Sequence, residues 1–184
     1  MGDIMNYYLV ALIDENSYIK IQSLQKQLSD EYDLYDKLPM LHMTLEVIED
    51  AELEKLIPSL HNIFKDTKKM KIKIKNGICF EPPFKSVNLK VENDENIKEF
   101  VYDVNHCLKS YNFKVRENVD DWDLHISLAN TVFSKKEWLK NEFESACKYI
   151  MNLSYDIVPE ITEIQLWKPI NDDDEMVLFK QKLK

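Results

Sequence analysis

Glycine is nearly missing from this 184-residue chain, which has two, Gly2 and Gly77. Phosphate cradles of the P-loop and dinucleotide-binding kinds need several glycines at fixed spacing, because the backbone must approach the phosphates closely. Neither pattern can be written here, which sets aside nucleotide-triphosphate chemistry of those kinds. Positive charge is also short: Lys and Arg number 24 against 33 Asp and Glu, a formal net charge of −9. Affinity for long nucleic acid comes from neutralising phosphates, so the balance speaks against a broad polyanion surface and leaves room for a small phosphate ester. Cys79, Cys107 and Cys147 are odd in number, sit in apolar surroundings and lack zinc-ligand spacing, as expected of reduced structural thiols in a cytosolic protein. The apolar run Tyr7 to Ile13 is of strand length, far too short to cross a membrane, and no positively charged region precedes it. The expectation is a cytoplasmic protein with no membrane partner.

Apolar residues are plentiful, at 45% hydrophobic and 11% aromatic, enough for a sizeable core. Within them one short pattern occurs twice: Leu41-His42-Met43-Thr44-Leu45 and Leu124-His125-Ile126-Ser127-Leu128. Side chains alternate between the faces of a β-strand. Each segment therefore turns three apolar residues to a core and presents an imidazole and a hydroxyl on the other face. One such strand is ordinarily a half-buried histidine bonded to a neighbour. Two copies among only four histidines arise by chance in roughly one chain in several hundred of this composition, so the pair reverses that reading.

The remaining sequence repeats an order of strand, helix, His strand, helix and strand. Tyr7 to Ile13 is a central strand, and Tyr18, Ile21, Leu24 and Leu28 recur at helical spacing behind Asn16 or Ser17 as cap. The first His strand spans about Met40 to Val47. A helix capped by Asp50 carries Leu53, Leu56, Ile57, Leu60 and Phe64, with Pro58 expected to kink it or mark a restart. Met70 to Ile78 alternates as a strand. The second round comprises a strand at Val87 to Val91, a helix through Ile97, Phe100, Val101, Val104 and Leu108, and the His strand Trp122 to Ala129. A further helix follows, opened by a capping box at Ser134-Lys135-Lys136-Glu137, then strands near Ile161 to Trp167 and Met176 to Leu183. This is consistent with a duplication that sets the two His faces across a cleft. One bilobal domain, 1–184, is expected, with lobes 1–80 and 84–184 joined at Phe80-Glu81-Pro82-Pro83 and terminal strands exchanged between them.

Two imidazoles facing one pocket suit a reaction in which one takes a proton from a nucleophile while the other gives one to a leaving group. The hydroxyls supply donors for oxygens that gain charge. On these motifs the chain resembles the 2H phosphoesterase superfamily, also described as 2′-5′ RNA ligase-like or 2′,3′-cyclic phosphodiesterase-like proteins, whose signature is two His-x-Thr/Ser motifs between apolar residues. The resemblance extends over nearly the whole chain, including the closing Ile164-Gln165-Leu166-Trp167 segment. It implies an α+β bilobal duplicated fold, two antiparallel-rich sheets facing a central cleft with helices outside. It implies catalytic His42 and His125, with Thr44 and Ser127 as phosphate-oxygen donors and no metal or other cofactor. The substrate would be a 2′,3′-cyclic or 2′,5′-linked nucleotide, or a short RNA-end phosphate ester, and the protein a monomer. The chain departs from many relatives after the second motif, where Leu128-Ala129-Asn130 carries no basic residue and Asp120, Asp121 and Asp123 add negative charge nearby. These carboxylates count against long RNA and against ligation.

Other residues divide between bland and functional readings. Glu46 shares the strand face of His42 and Thr44, so it is either a solvent-facing strand end or a group that orients a histidine or touches ribose. Trp167 and Lys168 are candidates for base stacking and phosphate contact, or simply an exposed strand end. His106 lies opposite its helix stripe and His61 at the edge of its own, as surface residues. Lys71, Lys73 and Lys75 form either a solvated strand face or a substrate-attracting rim. Two rival accounts stand beside the enzyme: a non-catalytic nucleotide or RNA-end binding module of the same fold, and a metallohydrolase using both histidines, which lacks further ligands at usual spacing.

Overall fold

In chain order the elements are β1 (Asn6–Ile13), α1 (Glu15–Tyr32), β2 (Met43–Glu49), α2 (Leu53–Phe64), β3 (Met70–Lys71), β4 (Ile74–Phe80), β5 (Ser86–Val91), α3 (Glu95–Ser110), β6 (His125–Ala129), α4 (Lys140–Asn152), β7 (Glu160–Trp167), α5 (Asp173–Met176) and β8 (Val177–Lys182). They come from a computed structural model that describes residues 5–184. The class is α+β. The expected antiparallel sheets are joined edge to edge into one eight-stranded sheet of order β3-β7-β1-β2-β6-β5-β4, with β8 also on β7. The join is narrow: β2 and β6 pair at Met43↔Ile126 alone.

Alternation decides which face each strand residue serves. Leu9, Ala11, Met43, Leu45, Val87, Leu89, Ile126 and Leu128 are buried in the main core with Ile21 and Leu28 of α1, Leu56 and Phe64 of α2, Val101 and Leu108 of α3, and Phe143 and Ile150 of α4. The opposite face carries a small cluster of Val10, Trp167 and Met176. Outward from the β2–β6 join, β2, β1 and β7 on one side correspond to β6, β5 and β4 on the other. The expected Met70 to Ile78 strand is split, because residues 72–73 carry the chain from β3 at one edge of the sheet to β4 at the other. The edges therefore lie within about 10 Å at this point, and the sheet is strongly curled. Phe80 ends β4 and Glu81-Pro82-Pro83 opens the turn of the β4–β5 hairpin, where the Pro82–Pro83 bond is cis.

Several local expectations are corrected. The α1 cap is Asp14, whose carboxylate accepts from Ser17 N–H, one turn earlier than Ser17 itself. Asp50 takes a left-handed φ of 48° and does not cap α2, which runs unbroken through Pro58. The Ser134-Lys135-Lys136-Glu137 segment is not helical; α4 starts at Lys140, where the Glu142 carboxylate accepts from Leu139 N–H at 2.9 Å. Two of the three thiols are not free. α4 packs on β4 and brings Cys147 over Cys79 at a Cα–Cα distance of 6.0 Å, where the two form a disulfide, leaving Cys107 as the free cysteine among the described residues. No helix among the described residues is long and apolar enough to cross a membrane.

Candidate active site

Strand β6 starts at His125, and His42 immediately precedes β2. Leu41, Met43 and Leu45 are buried, as are Leu124, Ile126 and Leu128, so both motifs are anchored on the helix side of the sheet. Antiparallel pairing at Met43↔Ile126 sets His42 across from Ser127 and Thr44 across from His125. Each imidazole is held in the same way. His42 Nδ1–H donates to the Met40 carbonyl at 2.8 Å and His125 Nδ1–H to the Asp123 carbonyl at 2.7 Å, which leaves Nε2 of both rings free for chemistry. Each ring also has an aromatic neighbour set edge to face: Trp167 at 4.5 Å from His42 and Phe80 at 4.9 Å from His125. Trp167 lies on β7 and Phe80 on β4, the corresponding strands of the two halves.

The electrostatics are less symmetric. Burial pushes the His42 imidazole down to about 4; the Met40 carbonyl opposes this shift and the charge His125 can carry adds to it. Burial also lowers His125, but there the Asp123 carbonyl and carboxylate both pull the other way. His42 is thus the poorer holder of a proton of the two.

The hydroxyls differ as well. Ser127 Oγ–H donates to Asn88 Oδ1 at 2.7 Å. Asn88 is fully buried, and its amide nitrogen donates to Ile78 O, Ser86 O and Ser86 Oγ at 3.1–3.2 Å, so its orientation is set. Thr44 pairs with Val10 of β1 instead, with no comparable side-chain partner among the described residues.

Two chambers flank the motifs and share Tyr8, Ser127, Asn130 and Val132 on their walls. The His42 chamber encloses about 250 Å³, just below the range of drug-sized sites. Tyr35, Met40, Phe133, Trp167 and Ile170 make it largely apolar. The His125 chamber is walled by Phe80, Pro82, Phe84 and Trp122 together with Glu81, Asp121 and Asp123. Lys168 is the one lysine or arginine on either wall among the described residues, and it faces Glu175 at 3.6 Å.

The structure thus brings His42, Thr44, His125, Ser127, Trp167 and Lys168 to one cleft. Trp167 is 5% exposed and donates Nε1–H to Gln165, so it backs His42 and offers little ring to a base. Glu46 is in neither of its expected places. A bulge at Leu45, between the Leu9↔Glu46 and Val10↔Thr44 pairs, breaks the alternation, and Glu46 is buried against Arg116 and Asn105. His61 and His106 are exposed, as are Lys71, Lys73 and Lys75. Sequence reasoning missed Asn88, Phe80 and Gln25. Gln25 fixes the loop before His42 by donating to the Pro39 carbonyl at 3.0 Å. None of these carries a local pattern, because each meets the site through strand pairing or helix packing; only Asn88, a polar residue inside an apolar strand, gave a signal.

Compared with known families, residues 5–176 match the AKAP7 2'5' RNA ligase-like domain. The chain belongs to that family. With it the chain joins the 2H phosphoesterase superfamily. No curated protein sequence matches it. Among solved structures, this AKAP7-type domain is similar to TT0787 of Thermus thermophilus, at a TM-score of 0.68 and 13% identity over 97% of this chain and 98% of that one. Escherichia coli LigT complexed with 3'-AMP superposes at 0.60, with 10% identity over 100% and 99% of the chains. Kluyveromyces marxianus Usb1 gives 0.51 at 14% identity over 98% of each. At these identities the likeness is one of fold.

Proposed function

We propose that this chain is a phosphodiesterase that acts on nucleotide phosphodiesters by acid–base catalysis with His42 and His125, without a metal. The observation that carries the reading is the matched anchoring of the two rings, each with Nδ1–H tied to a carbonyl and Nε2 left free in one cleft. His42, disposed to stay neutral, takes the proton of the attacking oxygen; His125, which keeps its proton more readily, gives it to the departing ribose oxygen. Thr44 and Ser127 attend the non-bridging phosphate oxygens. Ser127 must turn its proton away from Asn88 to do so.

An organic group has room on both sides of the phosphate. One chamber is apolar and the other aromatic with an acidic rim, an arrangement that suits a nucleoside on either side of a single phosphate and disfavours further phosphates. This supports short linked nucleotides or RNA ends over long RNA, and hydrolysis over ligation. The family's description as 2'5' RNA ligase-like and the LigT complex with 3'-AMP agree with a nucleotide ligand.

The test is turnover of 2′,3′-cyclic nucleoside monophosphates and of 2′,5′- and 3′,5′-linked dinucleotides in excess chelator, with the His42→Ala/His125→Ala double variant as control. Turnover that survives chelator and vanishes in the double variant is the expected result. Turnover abolished by chelator would replace this mechanism with a metal-assisted one. Nucleotide binding without turnover would make the protein a binding module of the same fold.

A further inference from the structure

Glu46 sits behind the site rather than in it, and its partner is the chain's only arginine. Arg116 lies in the segment between α3 and β6. Its Nε donates to Glu46 Oε1 at 2.8 Å, and the two side chains are 14% and 1% exposed. Its Nη2 donates to the Leu45 carbonyl at 2.5 Å. Asn105 of α3 completes the cluster, donating to Glu46 Oε2 at 2.7 Å and to the Arg116 carbonyl at 3.0 Å. The guanidinium also lies over the Trp122 ring, 4.1 Å from its centroid. A planar fork that pairs with a carboxylate, reaches a carbonyl and stacks on a ring cannot be reproduced by lysine.

The two His strands need a tie of this kind. Where β1 and β2 share six residue pairs, β2 and β6 share one, and one pair does little to determine the angle between two strands. Arg116 spans that join from the rear. Leu45 and Glu46 directly follow Thr44, and Trp122 precedes Asp123, whose carbonyl anchors His125. Trp122 also forms part of the His125 chamber wall. A run of direct contacts therefore leads from the first motif through Arg116 to the second.

We propose that Glu46 and Arg116 are positioning residues, whose buried pair sets the separation of His42 and His125 from the face of the sheet that substrate does not touch. The proposal rests on the two-histidine reading of the cleft. Misplacing a reacting group by about 1 Å can cost on the order of 10² in rate, so the pair governs turnover more than affinity.

Arg116→Lys keeps the charge and loses the fork, and Glu46→Gln/Arg116→Gln removes both charges so that neither is left buried alone. For each variant we would measure kcat, the affinity for adenosine 3′-monophosphate, thermal unfolding and the NMR titration of His42 and His125. Arg116→Lys is expected to fold, to bind the nucleotide within about threefold of the parent and to lose roughly 10–10² in kcat, with the mutual influence of the two histidine titrations altered. Parental kcat and parental titrations, or equal losses of kcat and affinity, would overturn the proposal. If Arg116→Lys fails to fold, the double variant carries the same comparison. If the parent itself shows no turnover, the catalytic reading fails alone, and the histidine titrations still decide the positioning role: unchanged in the variants they reject it, altered they uphold it.

Discussion

Ser127 gives its hydroxyl proton to Asn88 Oδ1 at 2.7 Å, while Thr44, across the motif pair, stands beside Val10. On the proposed function, two residues equivalent in the sequence pattern would thus begin the reaction from different states. Thr44 is ready to donate, and Ser127 must first give up a bond. Replacing Thr44 by Ala is expected to lower kcat by about 10²–10³ and Ser127→Ala by about 10. Side-by-side kinetics of the two variants check this; the reverse order would mean that Ser127, not Thr44, faces the developing charge.

His42→Ala and His125→Ala are each expected to reduce turnover by roughly 10²–10⁴. Neither ring supports the main core, so far-ultraviolet circular dichroism and the unfolding temperature should stay near those of the parent. Near-parental rates in either variant would remove that histidine from the chemistry.

Acid should weaken the fold through His42. In the unfolded chain its imidazole titrates near 6.5, and in the fold burial pushes it down to about 4. Above 6.5 the ring is neutral in both states and stability is flat on its account. Between 6.5 and 4 the unfolded chain binds a proton that the fold refuses, so stability falls as pH drops, by at most about 3 kcal/mol. Urea unfolding at several pH values checks the slope, which His42→Ala should flatten. Turnover should follow a bell whose acid limb is His42 taking a proton and whose alkaline limb is His125 losing one. Because burial lowers His125 as well, the optimum is expected on the acid side of neutrality; an optimum above pH 8 would exclude this division of roles.

Gly77 lies where α4 presses on β4. A Cβ there would stand 2.3 Å from Ile150 Cγ2 and 2.8 Å from the Ile150 backbone, so the helix would have to lift. Gly77→Ala is expected to cost about 1–3 kcal/mol of stability, read as a lower unfolding midpoint. An unchanged midpoint would mean that α4 shifts freely.

How far the sequence led can be seen residue by residue. The His faces were legible because strand alternation is local: burying Leu41, Met43 and Leu45 necessarily turns His42 and Thr44 outward. The same rule failed two residues later at Glu46, since the bulge at Leu45 belongs to the pairing of β2 with β1 and leaves no trace in β2 itself. Helix stripes such as Ile97, Val101, Val104 and Leu108 were found where they are buried. Helix starts were not, because Ser134 and Glu137 fit the capping pattern while the chain delays the helix until Glu142 can serve as its cap. The rings beside the histidines were out of reach, since Phe80 and Trp167 approach through strands whose neighbours are set by the whole sheet.

The place of β7 in the sheet bears on how the protein is made. Both histidine motifs are complete once residue 128 has been synthesised, yet β1 gains its second neighbour, and His42 its aromatic wall, only when Trp167 follows. A nascent or truncated chain ending before Glu160 carries the complete signature and an open strand edge beside it, a target for association with other chains. The two motifs that announce this domain are therefore present before the cleft they announce, and the closing strands complete its wall.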